Sequence, residues 1–217
     1  MSQIKAVLFD LDGTLADTAP DLGQALNLLL VSRNLAPLPH ELIRPMASHG
    51  AKGLIELGFN IGPENPDFAS LRHDFLNYYE NNLCRKTSLF LGMKTLLTTL
   101  ENRSLPWGIV TNKPMRYTQP LVQALGLESR ASCCISGDTT NYCKPHPEPL
   151  LFAARHLNLN PETCLYLGDA ERDIEAARQA GMTPLIALYG YLSKLDQPKT
   201  WQASGMINTP EELLNYL

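Results

Sequence analysis

Five short apolar runs, each followed by polar residues, constrain the fold of this chain more than any other feature. They occupy residues 6–9, 107–110, 132–135, 164–167 and 184–188. A run that is continuously apolar, rather than alternating with polar residues, is typical of a strand buried on both faces. Stretches with helical periodicity lie between the later runs. Strands that alternate with helices predict an α/β fold with right-handed crossovers and a parallel sheet that carries helices on both faces.

The interval between the first two runs has a different character. Residues 16–34 and 68–83 show helical periodicity, and shorter helices are predicted from near His40 and from residue 54. Asp17 or Thr18 is the predicted N-terminal cap of the first helix. Residues 16–85 contain no predicted strand. We therefore predict a small all-helical domain at 16–85, inserted into a core formed by residues 1–15 and 86–217.

The composition limits the partners of the chain. Its 217 residues have a net charge of −4, with no basic run and no apolar run near the ~18 residues that span a bilayer. No nucleic-acid or membrane partner is expected. Five cysteines without a Cys-x-x-Cys pair favour a reducing cytoplasm, and Cys133, Cys134 and Cys164 are expected to be buried. We therefore expect a cytoplasmic protein, and either a monomer or a homodimer is compatible with the sequence.

Polar residues that could take part in catalysis or metal binding follow four of the apolar runs. They are Asp10 and Asp12, then Thr111 and Asn112, then Lys144, and finally Asp169 with Asp173. In a parallel sheet the carboxyl ends of the strands meet at one edge, where ligands bind. Clustered carboxylates need a cation, and oxygen ligands without His or Cys favour Mg²⁺. Together with one lysine, such an ion would neutralise a phosphate, and the Thr-Asn pair can donate hydrogen bonds to its oxygens.

The first of these groups has a distinctive spacing. Asp10 and Asp12 stand at i and i+2, so both carboxylates can address one point in space. This pattern fits either a divalent cation site or a nucleophile beside a general acid/base. Gly13 allows a sharp turn, and the Thr14 hydroxyl with the nearby N–H groups could hold an anion.

Four strings together resemble the motifs of the haloacid dehalogenase-like superfamily, in the same order. They are Asp10-Leu11-Asp12-Gly13-Thr14, Thr111-Asn112, Lys144-Pro145 and Gly168-Asp169-Ala170-Glu171-Arg172-Asp173. The resemblance implies a Rossmann-like core with residues 16–85 as a helical cap. It also implies that Asp10 is a nucleophile that forms an aspartyl-phosphate, and that Asp12 is the general acid/base.

The same resemblance assigns the remaining roles. Mg²⁺ would be held by Asp10, the backbone carbonyl of Asp12 and Asp169, with help from Asp173 through water or a second shell. Thr111 and Lys144 would grip the phosphate. Superfamily members that cleave carbon–halogen bonds lack the second acid, so its presence favours phosphoryl transfer. A phosphomutase and a binding module without catalysis are the remote alternatives.

The chain as a whole resembles phosphoglycolate phosphatases and their relatives that dephosphorylate N-acetylmuramic acid 6-phosphate. A substrate of either kind is a small phosphate monoester that also carries a carboxylate. A loop at residues 48–53 is the predicted specificity segment of the cap, and His49 and Lys52 are its candidate substrate-binding residues. No residue that we identify in the sequence separates the two substrates.

Overall fold

The computed structural model describes residues 3–217, and a six-stranded parallel sheet forms its centre. Residues 3–217 contain eight strands, of which β2 and β3 form a separate ribbon: β1 (Ala6–Phe9), β2 (Ala16–Asp17), β3 (Ser88–Leu89), β4 (Trp107–Val110), β5 (Cys133–Ile135), β6 (Cys164–Gly168), β7 (Thr183–Ala187) and β8 (Gly205–Ile207). The sheet order is β5-β4-β1-β6-β7-β8. The predicted α/β fold class is therefore confirmed.

Eight α-helices accompany these strands in the described part of the chain. They are α1 (Ala19–Ser32), α2 (His40–Ile43), α3 (Gly50–Phe59), α4 (Phe68–Asn81), α5 (Met93–Asn102), α6 (Met115–Ala124), α7 (Glu148–His156) and α8 (Glu171–Gln179). Short 3₁₀-helices cover Arg44–His49, Pro161–Thr163, Pro198–Thr200 and Pro210–Tyr216. Within residues 3–217, none of the helices combines the length and the apolar character needed to cross a bilayer.

Both faces of the sheet are covered, which explains the continuous apolar runs. Val7 and Phe9 of β1 face a core shared with α5, α6 and the last 3₁₀-helix. Ala6 and Leu8 point to the opposite face and pack with α7 and α8. Because neighbouring side chains of a strand point to opposite faces, a strand covered on both sides must be apolar at every position.

Helices α1–α4 form a bundle around a second core. Leu26, Leu29, Leu54 and Phe75 are fully buried there. Where the chain enters and leaves the bundle, β2 and β3 form a two-stranded antiparallel ribbon that pairs Ala16 with Leu89. The expectation that residues 16–85 contain no strand is thus corrected, since a two-residue strand is too short to show any periodicity.

The beginning of two bundle helices differs from the prediction. Thr18 occupies the N-cap position of α1, but its side chain makes no capping bond to the helix. Residues 48–53 are not a loop, because the 3₁₀-helix Arg44–His49 leads directly into α3. Gly50 has a φ of 60°, so the chain changes direction within this one residue.

The end of the chain and one edge of the sheet also depart from the sequence prediction. The sequence prediction does not include β8, and the chain ends in a short helix, the 3₁₀-helix Pro210–Tyr216. Cys133 and Cys164 are buried as predicted, but Cys134 is exposed. β5 is the edge strand, and Cys134 lines an open groove between this strand and α6, together with Met115, Gln119 and Val122.

Candidate active site

A cleft of about 390 Å³ lies between the carboxyl ends of the central strands and the helical bundle. The sheet side of the cleft contributes polar residues from three strand ends: Asp10, Asp12, Thr111, Asn112, Lys113 and Arg172. The bundle contributes Ser48, His49 and Arg72 together with the apolar side chains Leu22, Phe75, Leu76 and Tyr79. The cleft therefore has one polar, charged wall and one largely apolar wall.

Lys144 and Asp10 form the buried centre of the site. The Lys144 side chain is 1% exposed, and its Nζ lies 2.8 Å from Asp10 Oδ1 and 2.8 Å from Asp173 Oδ1. The same nitrogen lies 2.9 Å from the carbonyl oxygen of Val110 and 2.6 Å from the hydroxyl of Tyr166. One ammonium group thus holds the two carboxylates in fixed positions.

Burial and the neighbouring charges shift the pKa values of Asp10, Asp173 and Lys144. Burial raises the pKa of Asp10, although Lys144 opposes the shift. Burial would also raise the pKa of Asp173, but the attraction of Lys144 and Arg172 outweighs it and leaves that pKa below its ordinary value. Burial acts to lower the pKa of Lys144, and the two carboxylates raise it above its ordinary value. Lys144 is therefore charged at neutral pH.

Asp169 has a free ligand atom at the edge of this cluster. Its Oδ2 accepts hydrogen bonds from the Tyr191 N–H and the Ser48 hydroxyl, both at 2.8 Å. Its Oδ1 is buried and has no hydrogen-bond partner among residues 3–217. Burial, with Asp173 and Asp10 nearby, raises the pKa of Asp169 to about 7. A buried carboxylate oxygen without a partner is costly, and a cation would satisfy it.

Three carboxylates of the site could share one ion. Asp10, Asp169 and Asp173 each place an oxygen within 4.8 Å of the others, and all three are buried. A set of hard oxygen donors fits Mg²⁺. Both oxygens of Asp173 already have partners, since Oδ1 contacts Lys144 and Oδ2 accepts the Ala170 N–H at 3.0 Å. This arrangement fits the supporting role that the family resemblance implies for Asp173.

Asp12 has a partner that sequence reasoning missed. Lys113 Nζ lies 2.8 Å from Asp12 Oδ1 and 3.1 Å from Oδ2. The Thr18 hydroxyl also donates to Oδ1, so this side chain serves Asp12 instead of capping α1. Lys113 directly follows Thr111-Asn112 in the sequence, and that adjacency is the signal that could have revealed it.

The Asn112 amide is occupied by the backbone of Lys144. Asn112 Nδ2 donates to the Lys144 carbonyl at 2.8 Å, and the Lys144 N–H donates to Asn112 Oδ1 at 2.9 Å. The predicted hydrogen bond from this amide to substrate is therefore replaced by a positioning contact to the lysine loop. Thr111 lines the cleft, and its hydroxyl oxygen accepts the Lys113 N–H at 3.2 Å.

Gly13 and Thr14 contact other residues of the site through close backbone packing and a backbone hydrogen bond. A Cβ on Gly13, whose φ is +84°, would lie 2.1 Å from Asp169 Oδ2, so only glycine allows this close approach. Thr14 is fully buried and does not line the cleft, which corrects its predicted role as an anion ligand. Its carbonyl oxygen accepts a hydrogen bond from the Tyr189 hydroxyl at 3.1 Å.

The bundle side of the cleft differs most from the sequence prediction. His49 lines the cleft as predicted, and burial and Arg172 lower its pKa. Lys52 points elsewhere: its side chain is 64% exposed, and its ammonium lies 3.8 Å from Glu56. The structure thus does not bring Lys52 to the site. The cation that the bundle does supply is Arg72, for which the sequence gives no signal.

Comparisons with known proteins agree with these motifs. A family model described as haloacid dehalogenase-like hydrolase matches residues 7–187. An N-acetylmuramic acid 6-phosphate phosphatase from Pseudomonas putida is 41% identical over 97% of this chain and 95% of its own length. A phosphoglycolate phosphatase from Xylella fastidiosa is 42% identical over 96% of this chain and 91% of its own.

A solved structure resembles the whole molecule. The crystal structure of a protein described as a predicted phosphoglycolate phosphatase from Haemophilus somnus has a TM-score of 0.87 and 28% identity. The match covers 100% of this chain and 99% of the other. Since the related enzymes named above are phosphatases, the predicted enzyme class, a phosphatase of this family, is confirmed. The chain therefore belongs to the haloacid dehalogenase-like hydrolase family.

Proposed function

We propose that this protein is a magnesium-dependent phosphomonoester hydrolase in which Asp10 carries the phosphoryl group as an aspartyl-phosphate. The observation that supports this most directly is the Asp10–Lys144 contact of 2.8 Å beside the unpartnered, buried Oδ1 of Asp169. A nucleophilic carboxylate needs fixed orientation and a nearby positive charge, and these groups provide both.

Asp10, the backbone carbonyl of Asp12 and Asp169 would hold Mg²⁺, with Asp173 supporting them. The ion would supply positive charge that offsets the charge of the phosphate. Lys144 keeps the Asp10 carboxylate in place, and the Thr111 hydroxyl is available to a phosphoryl oxygen.

The proposed reaction has two steps. In the first, an Asp10 oxygen bonds to phosphorus, the bond from phosphorus to the leaving oxygen breaks, and Asp12 gives that oxygen a proton. In the second, Asp12 removes a proton from water, the water oxygen bonds to phosphorus, and the bond to Asp10 breaks. The products are an alcohol and inorganic phosphate, and both aspartates return to their starting state.

Helices α1–α4 would act as the cap that covers this chemistry. The bundle touches the site through Ser48, whose hydroxyl donates to Asp169 and whose carbonyl oxygen accepts from Arg172 at 2.8 Å. These contacts support residues 16–85 as the domain that closes over the substrate and excludes water. The free cysteines fit a reducing cytoplasm as its location.

The first candidate substrate is a small phosphate monoester with a carboxylate, such as 2-phosphoglycolate. Arg72 on the bundle and Arg172 on the core provide cations for a second acidic group. The second candidate is N-acetylmuramic acid 6-phosphate. The cleft volume of about 390 Å³ and its apolar wall favour this larger substrate, because such a pocket suits a ligand larger than phosphoglycolate.

The test is to measure kcat/KM for both substrates with Mg²⁺, and to compare the wild-type protein with Asp10→Asn. The expected result is release of inorganic phosphate by the wild type and a loss of at least about 1,000-fold in the variant. A preference above about 100-fold, or about 2.7 kcal/mol, would identify the substrate. Residual activity in Asp10→Asn would exclude Asp10 as the nucleophile, and an isomerised sugar phosphate without phosphate release would indicate a mutase.

A further inference from the structure

Tyr191, in the string Tyr189-Gly190-Tyr191, connects the candidate metal site to the start of the helical bundle. Its backbone N–H donates to Asp169 Oδ2 at 2.8 Å. The preceding Gly190 makes this possible, since a Cβ there would lie 2.3 Å from the Asp169 Cβ and 2.5 Å from the Gly13 carbonyl oxygen. The backbone of this string is thus packed directly against the carboxylate.

The side chain of Tyr191 performs a different task. Its hydroxyl oxygen accepts the N–H groups of Thr18 and Ala19 at 2.6 and 2.8 Å, and the hydroxyl donates to Asp17 Oδ1 at 2.9 Å. The first N–H groups of a helix have no partner within the helix, and α1 has no capping side chain of its own. A phenol far away in the sequence therefore fixes the N-terminus of α1.

Arg44 attaches the rest of the bundle to the same point. Its Nη1 lies 2.7 and 2.8 Å from the two carboxylate oxygens of Asp17, and its guanidinium lies 4.8 Å from the Tyr191 ring centroid. Tyr191 is 3% exposed, whereas the Arg44 and Asp17 side chains are each 28% exposed, so their ion pair is partly open to water. The hydrogen bonds from the Thr18 and Ala19 N–H groups to the Tyr191 hydroxyl are buried, and burial strengthens a hydrogen bond.

We propose that Tyr191 is a positioning residue that couples the location of the helical bundle to the geometry of Asp169. One rigid residue holds the carboxylate with its backbone and the first turn of α1 with its hydroxyl. A displacement of the bundle start therefore displaces the N–H that orients Asp169. This inference rests on the proposed function in one respect, namely that Asp169 is a magnesium ligand.

The test uses Tyr191→Phe in the full chain, because this change removes the hydroxyl but keeps the ring and the backbone N–H. Hydrogen exchange at Thr18 and Ala19 should become at least about tenfold faster, since their acceptor is lost. The dissociation constant for Mg²⁺, measured by calorimetry, should rise about tenfold, as is typical when the support of a ligand is removed. At subsaturating Mg²⁺ the kcat of the variant should therefore be lower than that of the wild type, and saturating Mg²⁺ should restore most of it.

Coupling between the two ends is reciprocal, which gives a second measurement. In the wild type, Mg²⁺ should slow hydrogen exchange at Thr18 and Ala19, and in Tyr191→Phe it should not. Tyr216→Phe, at a partly exposed tyrosine in the C-terminal 3₁₀-helix, is the matched control and should behave as the wild type. If Tyr191→Phe does not fold, Arg44→Met tests the same connection from the bundle.

Two outcomes would overturn the inference. One is an unchanged Mg²⁺ affinity in Tyr191→Phe, which would leave Tyr191 as a helix cap only. The other is a wild-type hydrogen-exchange rate at Thr18 and Ala19 that does not change when Mg²⁺ is added. Failure of the proposed function has a different signature, because then the wild type itself would neither bind Mg²⁺ nor release phosphate.

Discussion

Lys113 and Asp12 form a salt bridge of 2.8 Å between the end of β4 and the end of β1. The two side chains are 8% and 16% exposed. The ring of Tyr79, from α4, lies 4.9 Å from the lysine ammonium. Burial acts to lower the pKa of Lys113, but Asp12 and Tyr79 raise it above its ordinary value, so the ammonium stays charged. The proposed acid/base is thus held by a residue that the family motifs do not include.

Replacing this lysine should impair the step that depends on Asp12. In Lys113→Met the carboxylate loses its main orienting contact, and we expect kcat/KM for an alkyl phosphate to fall about 10- to 100-fold. The loss for p-nitrophenyl phosphate should be smaller, because its leaving group departs without a proton. Lys94→Met, at an exposed lysine on α5, is the control. Equal losses for both substrates would show that Lys113 does not act through Asp12.

The parts of the fold that the sequence predicts are those that repeat one physical signal. β1, β4, β6 and β7 are apolar at nearly every position because helices cover both faces of the sheet. β8 is only three residues long and begins with Gly205, so its pattern is too weak to recognise. The β2–β3 ribbon has two residues in each strand and is defined only by its long-range pairing.

The residues of the candidate site likewise fall into those that the sequence predicts and those that it does not. Asp10, Lys144 and Asp169 could be predicted because each belongs to a motif placed after a strand. The bundle residues were harder to predict: His49 lines the cleft as expected, but Lys52 does not, since the direction of a helical side chain depends on where the helix begins. The sequence prediction places Lys52 in a loop, but α3 already begins at Gly50 and carries Lys52 on its exposed side. Tyr191 acts through contacts more than 170 residues away in sequence, for which a local pattern holds no information.

The pKa of Asp169 predicts how pH affects the metal-free protein. Its folded pKa is about 7, whereas an aspartate in an unfolded chain titrates near 3.9. Between about pH 4 and pH 7 the folded state therefore binds a proton at Asp169 that the unfolded chain has released. Stability falls with rising pH wherever the folded state binds more protons. Asp169 should thus destabilise the metal-free protein progressively over this range, by at most about 4 kcal/mol.

Thermal unfolding in EDTA at several pH values checks this. Asp169→Asn keeps the shape but cannot titrate, so its melting temperature should fall less than that of the wild type between pH 5 and pH 8. Mg²⁺ should stabilise the wild type more at pH 8 than at pH 5, because at low pH the ion competes with the bound proton. Parallel curves for the two proteins would show that Asp169 does not titrate in this range.

Comparing alanine substitutions at two glycines with positive φ distinguishes the cost of backbone strain from the effect of displacing a site residue. Gly13 and Gly126 have φ values of +84° and +68°, but a Cβ would strike Asp169 only at Gly13 and meets nothing within 4 Å at Gly126. An alanine at either position costs about 1 kcal/mol of strain. Gly13→Ala should in addition weaken Mg²⁺ binding about 10- to 100-fold, through displacement of Asp169. Calorimetry decides this, and comparable Mg²⁺ affinity in the two variants would contradict the expected clash.

Arg72, rather than Lys52, should recognise the acidic group of the substrate. Arg72 lines the cleft on the bundle side, whereas Lys52 lies outside it beside Glu56. A guanidinium can bind a carboxylate through two parallel hydrogen bonds, which makes its loss costly. In Arg72→Met we therefore expect kcat/KM for a carboxylate-bearing phosphate to fall about 10- to 100-fold. The change for p-nitrophenyl phosphate, which has no carboxylate, should be less than about threefold.

Lys52→Met is the matched control for this prediction, because it removes a cation from a neighbouring part of the bundle. It should leave kcat/KM within about twofold of the wild type for both substrates, since an exposed i,i+4 pair contributes little. The measurement is steady-state kinetics of the two variants on a carboxylate-bearing phosphate and on p-nitrophenyl phosphate. A selective loss in Lys52→Met, with Arg72→Met unchanged, would mean that α3 reorients when substrate binds and that the specificity residue lies on that helix.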